Sequence, residues 1–81
     1  MGVSKLYVGN LDFACTEDDV AAIFSDKAGE VGDVTIVRDP SGRSRGFGFV
    51  TMMTEEGGKK GLAMDGEELN GRNLQVSEPN N

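Results

Sequence analysis

Leu6-Tyr7-Val8-Gly9-Asn10-Leu11 and Arg45-Gly46-Phe47-Gly48-Phe49-Val50 are two short runs that read as one device. Together they hold three of the five aromatic residues in the chain, interleaved with glycines and an arginine inside strand-like segments. A soluble domain ordinarily buries such rings. Rings set among glycines and a cation instead suggest flat platforms on which another planar molecule stacks, and nucleic-acid bases are the obvious candidates.

Working outward, Lys5 to Gly9 alternates and is rich in strand formers, which predicts a first strand. Thr16-Glu17-Asp18-Asp19 is a capping-box-like start with acids in the first turn. Val20, Ile23 and Phe24 then follow at helical spacing, giving a helix that ends near Gly29. Asp33 to Arg38 alternates again, with Val34 and Ile36 on one face. Asp39-Pro40-Ser41-Gly42 has turn composition, and Gly46 to Met52 is a third strand. Thr54 caps a second helix of about ten residues ending at Asp65-Gly66. Asn70-Gly71 then marks a hairpin turn between Glu68-Leu69 and a last strand, Asn73 to Ser77.

The order is βαββαβ, an α+β fold. Four strands and two helices in this order make an open, four-stranded antiparallel sheet with both helices on one face, a ferredoxin-like sandwich. The other face stays bare. Tyr7 points to it if Leu6 and Val8 are core. The third strand is ambiguous: Phe47, Phe49 and Thr51 share one face, and Gly46, Gly48, Val50 and Met52 share the other. Two inward glycines there would let a helix approach the sheet closely.

The 81 residues make one small domain, 1–81 with its core at about 5–78, and the chain stops just after the last strand as a piece of a longer parent would. A single cysteine, Cys15, allows no intramolecular disulfide and is assigned to packing, in line with an intracellular home. Nucleus, cytoplasm and plastid stay open. No apolar run approaches a membrane span of about 20 residues. Met1-Gly2 invites a myristoylation reading, but Leu6 stands where that motif wants Ser or Thr. With no histidine and one cysteine, neither a His-based general base nor a thiolate metal cage is available, so an enzyme is not expected.

The net charge of −6 argues against binding driven by phosphate neutralisation alone. Its distribution is uneven. Arg38, Arg43 and Arg45 lie close together and Lys5 sits beside the first aromatic run, while acids gather at Glu17–Asp19, Glu55-Glu56 and Glu67-Glu68.

The two runs resemble the hexapeptide and octapeptide signatures of the RNA recognition motif family, and the likeness covers nearly the whole chain. Leu6 to Leu11 fits the hexapeptide throughout. Arg45 to Met52 fits the octapeptide except at Met52, which replaces the usual Phe or Tyr and faces inward by parity. Val50-Thr51-Met52 and Asn70-Gly71-Arg72 are similar to plastid and glycine-rich RNA-binding proteins. The resemblance implies a monomer that needs no cofactor and binds single-stranded RNA, with single-stranded DNA left open. Tyr7 and Phe49 would each stack a base, Phe47 would pack on sugars and Arg45 would reach a phosphate. Lys5, Gln75 and Ser77 would hydrogen-bond base edges, and Arg43 would clamp the strand's edge. Phe13 and Phe24 are assigned to packing.

The second helix departs from the family pattern, with glycines and Lys60 where Ala or aliphatics are usual. Gly57, Gly58 and Gly61 each cost about 0.8–1 kcal/mol relative to Ala in a helix interior. The rival reading is a protein-binding module of the same fold, whose acidic helical face recruits a basic partner. Stacking contributes roughly 1–3 kcal/mol per base without net positive charge. Acids on helices about 10 Å behind the sheet are screened over a Debye length of about 8 Å. Stacking wins.

Overall fold

The computed structural model describes residues 4–79, so Met1-Gly2 and the outer ends of the expected 1–81 domain lie outside the described residues. Its elements are β1 (Lys5–Gly9), α1 (Glu17–Lys27), β2 (Val31–Arg38), β3 (Ser44–Met52), α2 (Glu55–Leu62), β4 (Glu68–Leu69), β5 (Arg72–Asn73) and β6 (Gln75–Ser77). The main sheet runs β2-β3-β1-β6, antiparallel throughout. The α+β sandwich expected from the element order is the one that forms.

Leu6, Val8, Ile36, Val50, Met52 and Val76 turn from the sheet into a core that Val20, Phe24, Met64 and Leu74 complete. Burial of Val50 and Met52 decides the facing of β3 that alternation left open, and Met52 points inward as its parity requires. Thr16 caps α1 with the reciprocal bonds of a capping box, its hydroxyl accepting from Asp19 N–H while the Asp19 carboxylate accepts from Thr16 N–H. The helix ends at Lys27, with Gly29 at φ +125° just beyond.

Three expectations need correction. First, β2 begins at Val31, two residues early. A register shift between Val31 and Asp33 breaks the alternation there, so Val31 and Val34 both pack on the core although three residues apart. Second, α2 is shorter than ten residues. Beyond Leu62 the chain tightens, with Met64 N–H donating to Gly61 and Asp65 N–H to Leu62, before Gly66 turns it at φ +94°. Third, the stretch expected as one last strand is two. Asn70 and Gly71, at φ 53° and 81°, form the tight turn of a small β4–β5 hairpin, and only Gln75–Ser77 join the main sheet. Buried Leu74 separates them, its backbone exchanging hydrogen bonds with Glu67 and Gly66.

The close helix approach also comes from elsewhere than expected. A Cβ on Gly48 would strike the backbone of Thr35 and Ile36, so that glycine admits the neighbouring strand. On α2 it is Gly61 that lies over Leu6 and Phe24, with no room for a side chain. The glycines that weaken this helix therefore also seat it: Gly57, Gly58 and Gly61 are all buried.

Candidate nucleic-acid interface

The sheet face away from the helices is built by register. Tyr7 pairs directly with Phe49 across β1 and β3, and with Ser77 across β1 and β6. The Tyr7 ring lies 5.8 Å from that of Phe47 at 33° and 6.1 Å from that of Phe49 at 69°, centroid to centroid. All three rings are half-buried, each keeping part of its surface open to solvent. Gly9 is what allows this: a Cβ there would sit 2.9 Å from the Tyr7 ring, which folds back over its own strand. Lys5, one step along the same face, holds its ammonium 5.2 Å from the Phe49 centroid.

Two clefts flank the rings. One is lined by Tyr7, Phe49, Ser77, Glu78 and Pro79. The other is lined by Phe13, Asp39, Arg43, Ser44, Arg45 and Phe47. Seven of the eight residues singled out from the sequence thus fall on the rings or these clefts. Gln75 lies opposite Gly9 on the edge strand, exposed and outside both clefts.

The β2–β3 turn fixes the charges. Asp39 Oδ1 accepts from Ser41 Oγ at 2.7 Å, Ser41 N at 2.9 Å and Arg43 N at 3.0 Å. These bonds, the Ser41 side chain first, hold the Asp39 carboxyl below the usual range. Arg38 is drawn away to Glu17 at 2.9 Å. Glu17 is itself held low by its backbone N–H and then by that guanidinium. Among the described residues, Arg43 and Arg45 have no ion-pair partner.

Not every acid lies behind the sheet. Asp33 shares the Phe49 face through its pairing with Thr51, and Asp39 and Glu78 line the two clefts. Three carboxylates therefore face Lys5, Arg43 and Arg45, and the local field is close to balanced rather than positive.

Phe24 packs fully, as expected, and so does Cys15, whose thiol is pushed up by burial and accepts from Asn70 Nδ2 at 3.2 Å. Phe13 does not pack. It is 73% exposed and turned toward Arg43, Arg45 and Phe47. It precedes the helix cap, outside the Val20-Ile23-Phe24 stripe, where no periodicity indicates which way a side chain faces. Glu78 and Pro79 carried no signal, since they follow the last strand in no motif.

The family model for the RNA recognition motif matches residues 6–75, from the start of the hexapeptide to the last strand. The chain belongs to the RNA recognition motif family. It is 40% identical over 82 residues to the mitochondrial glycine-rich RNA-binding protein 3 of Arabidopsis thaliana, across 99% of this chain and 26% of that protein. It is 43% identical over 76 residues to the chloroplastic 29 kDa ribonucleoprotein A of Nicotiana sylvestris, across 91% and 27%. This RNA recognition motif thus spans about a quarter of each relative's length. In structure it is similar to the Rna15 RRM with bound RNA (GU), at a TM-score of 0.85 and 25% identity, covering 98% of this chain and 85% of that one.

Proposed function

We propose that this RNA recognition motif binds a short single-stranded RNA across its open sheet face, stacking one base on Tyr7 and one on Phe49. Phe47 packs against sugars, Arg45 takes a phosphate, and Lys5, Ser77 and Gln75 meet base edges. Arg43 clamps the strand as it leaves the sheet. The observation that carries this reading is the direct pairing of Tyr7 with Phe49 on the solvent face, with Phe47 beside them. The bound RNA in the related Rna15 structure supports it.

Lys5 does not block the Phe49 platform. An exposed cation–π contact is worth about 0.5–1 kcal/mol, less than the roughly 1–3 kcal/mol of a stacked base, so the lysine yields or caps the base from above. Stacking needs no particular sugar, so single-stranded DNA competes for the same rings. The relatives carry RNA-binding and ribonucleoprotein names, which favours the sheet over the acidic helical face as the working surface. Their mitochondrial and chloroplastic names support an intracellular setting.

Amide chemical-shift mapping during titration with a randomised RNA pool tests the location. The expected result is change concentrated at Lys5–Gly9, Arg45–Thr51 and Gln75–Ser77. Change confined to α1 and α2 would move the site to the helical face.

A further inference from the structure

Phe13 is a large ring with no place in the core, yet it is held in position. Cys15 N–H donates to Asp12 O, Ala14 N–H donates to Asp12 Oδ1, and Leu11 N–H donates to Gly46 O at 2.8 Å, so the loop around it is tied down on both sides. The ring itself rests on β3 at Gly46. A Cβ there would come 3.1 Å from Phe13 Cε1, which places the ring against this strand, and it is the φ of +84° that calls for glycine at Gly46. A ring at 73% exposure costs apolar surface in water and contributes nothing to the core.

Its neighbours give the site a chemistry. Phe47 belongs both to this cleft and to the ring patch, 5.8 Å from Tyr7, so Phe49, Tyr7, Phe47 and the Phe13 cleft form one continuous track. Arg43 and Arg45 line the cleft with one carboxylate, Asp39, which Ser41 and the Arg43 backbone hold by hydrogen bonds and which keeps its charge, so the lining carries one net positive charge. An aromatic face beside two cations without ion-pair partners, in a chain of net charge −6, complements a nucleotide: base on ring, phosphate on guanidinium.

We propose that the Phe13 cleft is an additional nucleotide subsite, taking the base next to those on the sheet by stacking on Phe13 and its phosphate on Arg43 and Arg45. It extends the RNA-binding reading above and rests on it. The footprint then runs from the Glu78 side of the sheet, over Tyr7, to the β2–β3 turn, rather than ending at Phe47.

The test compares Phe13→Ala and Phe13→Trp with the parent, using randomised RNA pools of four and of eight nucleotides. Phe13 is mostly solvated, so both variants should fold. The parent contains no tryptophan, which makes the substituted ring the only indole in the protein. Phe13→Ala should bind the eight-nucleotide pool about 5- to 100-fold more weakly, the loss expected for one stacked base, and the short pool within about twofold of the parent. Phe13→Trp should keep parental affinity, with its emission quenched as the longer pool binds. Parental affinity of Phe13→Ala for the eight-nucleotide pool, equal weakening on both pools, or unquenched emission at saturation would each overturn the subsite while leaving the sheet reading intact. A folded parent that binds neither pool would overturn both.

Discussion

Tyr7 and Phe49 are direct cross-strand partners whose rings stand 6.1 Å apart at 69°, so the sheet presents two differently tilted aromatic faces rather than one flat plate. Two faces at that angle suit two bases that are splayed rather than stacked on each other. Phe49→Ala should therefore weaken single-stranded RNA binding about 10–100-fold, equivalent to ~1.4–2.8 kcal/mol, because one stacking partner is lost. Fluorescence anisotropy with a labelled short RNA reads this directly, and far-UV circular dichroism of the variant should match the parent.

Salt dependence follows from the charges at the site. Arg43 and Arg45 provide about two phosphate contacts, and two for a single strand give a slope of log K against log salt near about −1.4. A slope steeper than about −4 would mean that phosphate neutralisation, not stacking, dominates.

Gly48→Ala should destabilise the fold. Its methyl group would enter the backbone of Thr35 and Ile36, which cannot move aside as a side-chain tip can. Overpacking of this kind costs typically 1–3 kcal/mol and sometimes more. Urea denaturation should show a lower midpoint with an unchanged slope. A variant as stable as the parent would mean that β2 has slack the structure does not show.

The second helix is expected to open first. Its three glycines cost roughly 2.5–3 kcal/mol in helix propensity, and of the three it is Gly61 that is seated on Leu6 and Phe24. Native-state hydrogen exchange should show faster amides at Lys59–Leu62 than in β1 and β3. Slow exchange there would mean that the close packing over Leu6 outweighs the glycine penalty.

Acid should loosen the β2–β3 turn through Asp39. Its carboxyl is held below the ordinary value by Ser41 and the Arg43 backbone, so the turn's contribution is complete above about pH 4 and fades as pH falls through the lower folded value. An NMR titration should place the Asp39 midpoint below that of a free aspartate. Asp39→Asn should remove the acid-induced shift at Ser41 and Arg43 N–H.

Much of this was legible in the residues. Leu6 and Val8 flank Tyr7, so its outward direction follows from strand periodicity, and Thr16 to Asp19 announces a capping box that forms as read. Period two could not orient β3, because rings and small or aliphatic residues alternate equally well there. Burial of Val50 against the helices decides it. The shift near Gly32 was hidden for a related reason, since a bulge breaks the very alternation used to find the strand. Phe13 was misread because an aromatic outside any periodic segment carries no facing information. Its loop geometry, held by Asp12 and Gly46, is a tertiary fact.

The most direct measurement is a titration of the domain with a randomised short single-stranded RNA pool beside the Phe47→Ala/Phe49→Ala variant. Micromolar binding by the parent that is lost in a folded variant is the predicted result, and it would place RNA on the sheet rings. Equal binding by both proteins, or none by a folded parent, would contradict the stacking role of this face.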